Sequence, residues 1–131
     1  MSNGDVVLIP AKEEDPFARD LARYFGQELC PVEFTEFKDD GGRRSGETKV
    51  AIRENIRGKD CYVLWSVGHT NYELIQVLQI IDAARLSCGA RRISLVCPEF
   101  PFARQDKTHE RRESLSSRLI ARLLESVGLD E

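Results

Sequence analysis

Apolar and polar positions fall into short blocks along this chain. Asp5–Pro10 (DVVLIP) and Cys61–Val67 (CYVLWSV) are continuous apolar runs of the kind that form buried strands. Val32–Phe37 (VEFTEF) alternates apolar with polar and predicts a strand; Thr48–Ile52 and Arg92–Cys97 predict two more. Three stretches carry helical spacing instead. The first begins at Asp15, a capping residue, with Pro16 at the first helical position. Phe17, Leu21, Tyr24, Phe25 and Leu29 follow, and Pro31 prevents the helix from continuing. The second, Asn71–Cys88, has polar residues at Glu73, Gln76, Gln79, Asp82 and Arg85 and is otherwise nearly all apolar. Such a helix is expected to be covered on most of its surface, by sheet or by a partner, with Gly89 as its C-cap. The third is Ser114–Val127, with Ser114 or Ser116 as its cap and Gly128 at its end.

Between these elements lie two polar segments. Lys38–Glu47 (KDDGGRRSGE) predicts a flexible, charged loop, turned by Gly41-Gly42 and Gly46. It lacks the terminal Gly-Lys-Ser/Thr of a Walker loop, and its Arg43-Arg44 pair reads as solvated. Pro98–Arg118 predicts a long loop between a buried strand and the last helix. Strands alternating with helices give the expected fold class, α/β, a parallel β-sheet flanked by helices. In such a series another strand is due near Gly128–Glu131, so the domain is expected to be cut off there or completed by another chain.

The 131 residues suit one domain, 1–131, with a real core. A net charge of -3 argues against broad nucleic-acid binding. The N-terminus has no signal pattern and no apolar run reaches spanning length, so no membrane partner and a cytoplasmic setting are expected. None of Cys30, Cys61, Cys88 and Cys97 forms a CxxC pair, which argues against zinc. Most read as small buried hydrophobes.

Candidate chemistry concentrates in Pro98–Arg118. Arg104, Lys107, Arg111, Arg112 and Arg118 stand there with His109, just after Phe100 and Phe102. Aromatic surface beside guanidinium groups at the carboxyl end of a strand suits a base plus phosphates, because the planar guanidinium fork donates two parallel hydrogen bonds. The plain alternative is a solvated charged loop, since Asp106, Glu110 and Glu113 are interspersed. His69 and His109 could serve as acid-base groups or metal ligands, although a lone exposed histidine is more often neither.

Several stretches line up with one family. Phe37-Lys38-Asp39 with Gly46-Glu47, Ile56-Arg57-Gly58-Lys59-Asp60, Ile80-Ile81-Asp82-Ala83 and Glu99–Lys107 (EFPFARQDK) resemble the N-terminal half of ribose-phosphate pyrophosphokinase. The resemblance runs from about Val6 onward. It implies a phosphoribosyltransferase-like N-terminal domain that supplies much of the ATP site for diphosphoryl transfer from ATP to ribose 5-phosphate. It also implies magnesium, with ligands mainly in the family's C-terminal half, and assembly into a homo-oligomer or with a complementary C-terminal chain. By resemblance the ATP-binding residues are Phe37, Asp39, Glu47, Arg104, Gln105, Asp106, Lys107 and His109. The first three would reach adenine from a neighbouring subunit. Phe37 would stack and Asp39 or Glu47 would accept from the adenine amino group. Arg104 would offset phosphate charge, which is most of what such a transfer asks of a protein. Asp106 and Lys107 could instead form a local ion pair that shapes the loop.

The sequence departs from the family at several points. Six extra residues split the adenine loop between Asp39 and Gly46. His109 stands where many members have an acidic nucleotide contact, Ser114 where a proline precedes the last helix, and Trp65 where a glutamine is usual. GHTNYELIQ is shorter than its counterpart. The family's C-terminal half, with its metal-binding histidine, catalytic loop and ribose 5-phosphate loop, has no counterpart here, so the chain alone is expected to be inactive. A non-catalytic subunit that assembles with an active synthase is the alternative expectation.

Overall fold

The computed structural model describes residues 5–102, 104 and 112–131. Three strands, β1 (Val6–Pro10), β4 (Asp60–Leu64) and β5 (Arg92–Val96), form a parallel sheet in the order β1-β4-β5. In that register Val7, Cys61 and Ile93 stand side by side, as do Ile9, Val63 and Leu95. Side chains alternate across a strand, so both rows point to one face. Helices α2 (Thr70–Asp82) and α3 (Ser116–Ser126) cover that face with Leu74, Val77, Ile80, Ile81, Ile120 and Leu124. The other row, Leu8, Tyr62 and Val96 among it, lies under α1 (Pro16–Tyr24), whose small Ala18 and Ala22 let the helix sit close. Burial on both faces is why β1 and β4 read as unbroken apolar runs, whereas β5 keeps Arg92 and Ser94. The parallel α/β class expected from the alternation is the one observed.

Two strands depart from that expectation. β2 (Val32–Lys38) and β3 (Arg44–Ile52) pair antiparallel with each other in a separate two-stranded sheet. Lys38–Glu47 is therefore not all loop. The turn itself is Asp39–Arg43, and Asp39 builds it: its Oδ1 accepts the N–H of Gly41 at 2.9 Å and of Arg43 at 2.8 Å. A bulge sets Ser45, Gly46 and Glu47 against Phe37, with Gly46 at φ +82. Ser45 fastens it, donating from its hydroxyl to Phe37 O (2.7 Å) and accepting from Glu47 N–H (3.1 Å). Arg44 is not simply solvated, because its guanidinium takes both oxygens of Glu36.

The hairpin is tied to α2. Gln79 donates to Thr48 O at 2.7 Å and accepts from the Thr48 hydroxyl at 2.9 Å, while Tyr72 OH donates to Glu36 at 2.9 Å. Val32, Phe34, Val50 and Ile52 pack on the main core.

Helix boundaries differ in instructive ways. Asp15 does cap α1, accepting from Phe17 N–H at 3.0 Å, with Pro16 first in the helix. The helix then stops at Tyr24 because Gly26 (φ +65) takes the left-handed closing position, so Phe25 and Leu29 are not on its face. The predicted Asn71–Cys88 helix is α2 followed by one π-helical turn, Ala83–Ser87. That turn carries Arg85, which donates to Gly128 O at 2.9 Å and pairs with Asp130. At α3 the capping position is Leu115 rather than a serine. The expected start of a further strand has a structural counterpart: Asp130 N–H donates to Ile93 O and Leu95 N–H to Glu131 O, at 2.9 and 2.8 Å, alongside β5. Among the described residues no helix is long and apolar enough to cross a membrane.

Candidate functional site

The carboxyl ends of β1, β4 and β5 meet at one edge of the sheet, the usual ligand side of an open α/β fold. A cavity of about 340 Å³ opens there, lined by Val67, Thr70, Asn71, Glu99, Phe100, Pro101, Phe102 and Arg104. The loop after β5 supplies the aromatic wall, the guanidinium and one carboxylate, Glu99. The loop after β4 supplies Val67, and the first turn of α2 supplies the polar Thr70 and Asn71, where early helical N–H groups and the positive end of the helix dipole favour an anion.

The backbone of the aromatic wall is strained. Phe102 sits at φ +61, a conformation bulky residues rarely adopt, at a cost of roughly 1–3 kcal/mol. Its ring packs against the main core, which holds it there. The effect is to anchor the loop two residues before the exposed Arg104.

The loop after β4 is fixed from beneath by two buried acids. Asp15 Oδ2 accepts from Ser66 N–H at 3.4 Å. Glu73 accepts from Gly68 N–H at 2.8 Å, from His69 N–H at 3.0 Å and from the Trp65 indole at 3.0 Å. Lys12, just past β1, donates to Ser66 O at 2.6 Å and lies 3.4 Å from Glu73. Burial pushes the Glu73 carboxyl up, but the N–H donors of Gly68, Trp65 and His69, with Lys12 beside them, outweigh it and hold the pKa below its ordinary value. None of Lys12, Trp65 or Glu73 is singled out by the sequence as a site residue. An acid in the first turn of α2 was the one available signal.

A second cavity, of about 270 Å³, lies between β5 and α3, lined by apolar side chains together with Glu125, Asp130 and Glu131. Of these acids, Asp130 pairs with Arg85 and Glu131 with Arg92. The buried thiols offer no nucleophile: burial pushes Cys30 up to about 12 and Cys61 to about 11, so both stay protonated. Among the described residues no group of three or more His, Cys, Asp or Glu side chains could hold a metal ion.

The sequence-predicted residues fall into three groups. Arg104 lines the cavity with Phe100 and Phe102. Phe37, Asp39 and Glu47 lie together on the β2–β3 hairpin and do not line that cavity. Phe37 is 47% exposed at the bulge, and Asp39 spends one carboxylate oxygen on its own turn. Gln105, Asp106, Lys107 and His109 lie outside the described residues.

Residues 6–128 match the family model for the N-terminal domain of ribose phosphate pyrophosphokinase. The ribose-phosphate pyrophosphokinase of Corynebacterium efficiens is 36% identical over 129 residues, which cover 96% of this chain and 37% of that protein. Ribose-phosphate pyrophosphokinase 2 of Schizosaccharomyces pombe is 32% identical over 129 residues, 98% of this chain and 38% of the other. A crystal structure of phosphoribosylpyrophosphate synthetase from Mycobacterium smegmatis superposes with a TM-score of 0.87 at 32% identity, covering 96% of this chain and 40% of that one. The chain thus spans less than half the length of these relatives.

Proposed function

Because the chain belongs to the family of the N-terminal domain of ribose phosphate pyrophosphokinase, we propose that it is a single-domain, ATP-binding part of such an enzyme. In this reading it contributes to diphosphoryl transfer from ATP to ribose 5-phosphate and does not turn over alone. Arg104 carries the reading. It shares one cavity with Phe100, Phe102 and the first turn of α2 at the ligand edge of the sheet, a combination that suits a purine and its phosphates. Gln105, Asp106, Lys107 and His109 would extend that contact. Phe37, Asp39 and Glu47, away from this cavity, would serve the adenine of a neighbouring subunit, which makes a homo-oligomer part of the proposal. Magnesium would arrive with ATP, and the setting would be cytoplasmic. Ribose 5-phosphate would be held by a C-terminal half in the same or a complementary chain.

Calorimetric titration with ATP and magnesium tests this. Arg104→Ala should weaken binding by roughly 10- to 100-fold, the worth of a hydrogen bond to a charged group. Equal affinity in both proteins would sink the assignment.

The second reading, a non-catalytic subunit that assembles with an active synthase, draws support from Asp39, whose carboxylate is partly committed to its own turn. Tight association with an active synthase in the absence of nucleotide binding would favour it.

A further inference from the structure

The loop between β4 and α2 is tied down residue by residue. Ser66 is held through its N–H by Asp15 and through its carbonyl by Lys12. Gly68 and His69 are held through their N–H groups by Glu73. The residues interleaved with these anchors or next to them, Val67, Thr70 and Asn71, line the cavity that contains Arg104. Four donors converge on one carboxylate, which is 6% exposed, and they come from four places: the segment after β1, the end of β4, the loop and the helix start. Gly68 is small for a reason, since a Cβ there would lie 3.0 Å from Glu73 Oε2 and 3.3 Å from Lys12 Nζ. A helix start needs only one acceptor for one or two N–H groups. A carboxylate that also gathers an indole and an ammonium group from other segments is fixing the relative position of those segments.

We propose that Glu73 is a positioning residue for the nucleotide site: its carboxylate sets the β4–α2 loop so that Val67, Thr70 and Asn71 line the cavity they share with Arg104. This rests on the nucleotide reading above. Glu73 touches no nucleotide in this scheme. It acts through the backbone it holds, which pre-organises the site before ligand arrives. Glu73→Gln is the informative change. The amide keeps the size and one acceptor, but its NH₂ group turns a donor toward the N–H groups and Lys12, so at least one of them loses its partner.

Two measurements on the full chain decide the matter. Hydrogen exchange, read at residues 66–71 and across the rest of the chain, reports whether Glu73 orders that loop in particular. Calorimetry with ATP and magnesium reports whether the order matters to binding. Glu73→Gln should speed exchange at 66–71 selectively and weaken ATP by about tenfold, comparable to one buried donor left unpaired. A control, Ile56→Val, thins the core before β4, at the far end from the ligand edge, and should leave ATP affinity unchanged. Exchange that rises uniformly in Glu73→Gln, or ATP loss matched by Ile56→Val, would reduce Glu73 to a general stabiliser and overturn the proposal. Selective loosening with unchanged affinity overturns it as well. If the unsubstituted chain binds no ATP, the nucleotide reading fails and the positioning role with it, while selective exchange would still show that Glu73 orders the loop.

Discussion

The attachment of the hairpin to α2 can be tested through Gln79. Gln79→Ala removes both halves of a reciprocal pair: the amide N–H donated to Thr48 O at 2.7 Å and the amide oxygen that accepts from the Thr48 hydroxyl at 2.9 Å. Each bond is worth about 0.5–1.5 kcal/mol net, and stranding a buried partner costs about 1–3 kcal/mol. Gln79 is only half-buried, so water can reach part of the vacated space. The expected loss is about 1–2 kcal/mol. Set against this are Val32, Phe34, Val50 and Ile52, which pack on the main core and would contribute roughly 1.5–3 kcal/mol each if fully buried. The apolar contact wins, so the hairpin should stay docked and the chain should still unfold in one step. Urea unfolding followed by the fluorescence of Trp65, the only tryptophan, reads both quantities. The midpoint should fall by roughly 0.5–1 M with an unchanged slope, for a slope of about 2 kcal/mol per M. In a Thr48→Val background Gln79→Ala should cost less, because the hydroxyl half of the pair is already gone. An unmoved midpoint would refute the clasp, and a shallower slope or a second transition would refute the docking argument.

Asp15→Ala should lower stability by about 1–2 kcal/mol in thermal unfolding, because it uncaps α1 and also frees Ser66 N–H. Glu36 is held from 4.5 down to about 2, first by its hydrogen bonds from Arg44, then by the one from Tyr72. A depressed carboxyl adds stability above its unfolded value and loses it as pH falls through its folded one. The hairpin clasp should therefore weaken between roughly pH 4.5 and 2, and a carboxyl titration by NMR in which Glu36 keeps its ordinary midpoint would contradict this.

How much of this was legible beforehand depended on the range of the interactions. Asp15-Pro16 announced α1 because a cap and an N1 proline act within a few residues. The apolar runs announced β1 and β4 because burial on both faces leaves hardly a polar position to break them. The hairpin was hidden. Its pairing depends on how Asp39 folds back on Gly41 and Arg43 and on a three-residue bulge, and in composition Lys38–Glu47 reads only as polar and glycine-rich. Gly26 was overlooked as the stop of α1 because Pro31 offered a more obvious one. Phe100, Phe102 and Arg104 could be grouped beforehand because they are neighbours in sequence, and the structure places all three in the lining of one cavity. Glu73 was not: three of its donors lie within eight residues, but an acid in a helix's first turn is ordinary by itself, and the fourth, Lys12, lies 61 residues away.

Because the hairpin's strands bond to each other and belong to a sheet of their own, its tip is a separate module as far as backbone hydrogen bonding goes. Residues can be gained or lost between Lys38 and Arg44 without shifting any strand of the parallel sheet by a single step. The six residues between Asp39 and Gly46 make up most of that turn and the first two residues of β3, so their presence lengthens the hairpin and leaves the scaffold that carries Arg104 where it is.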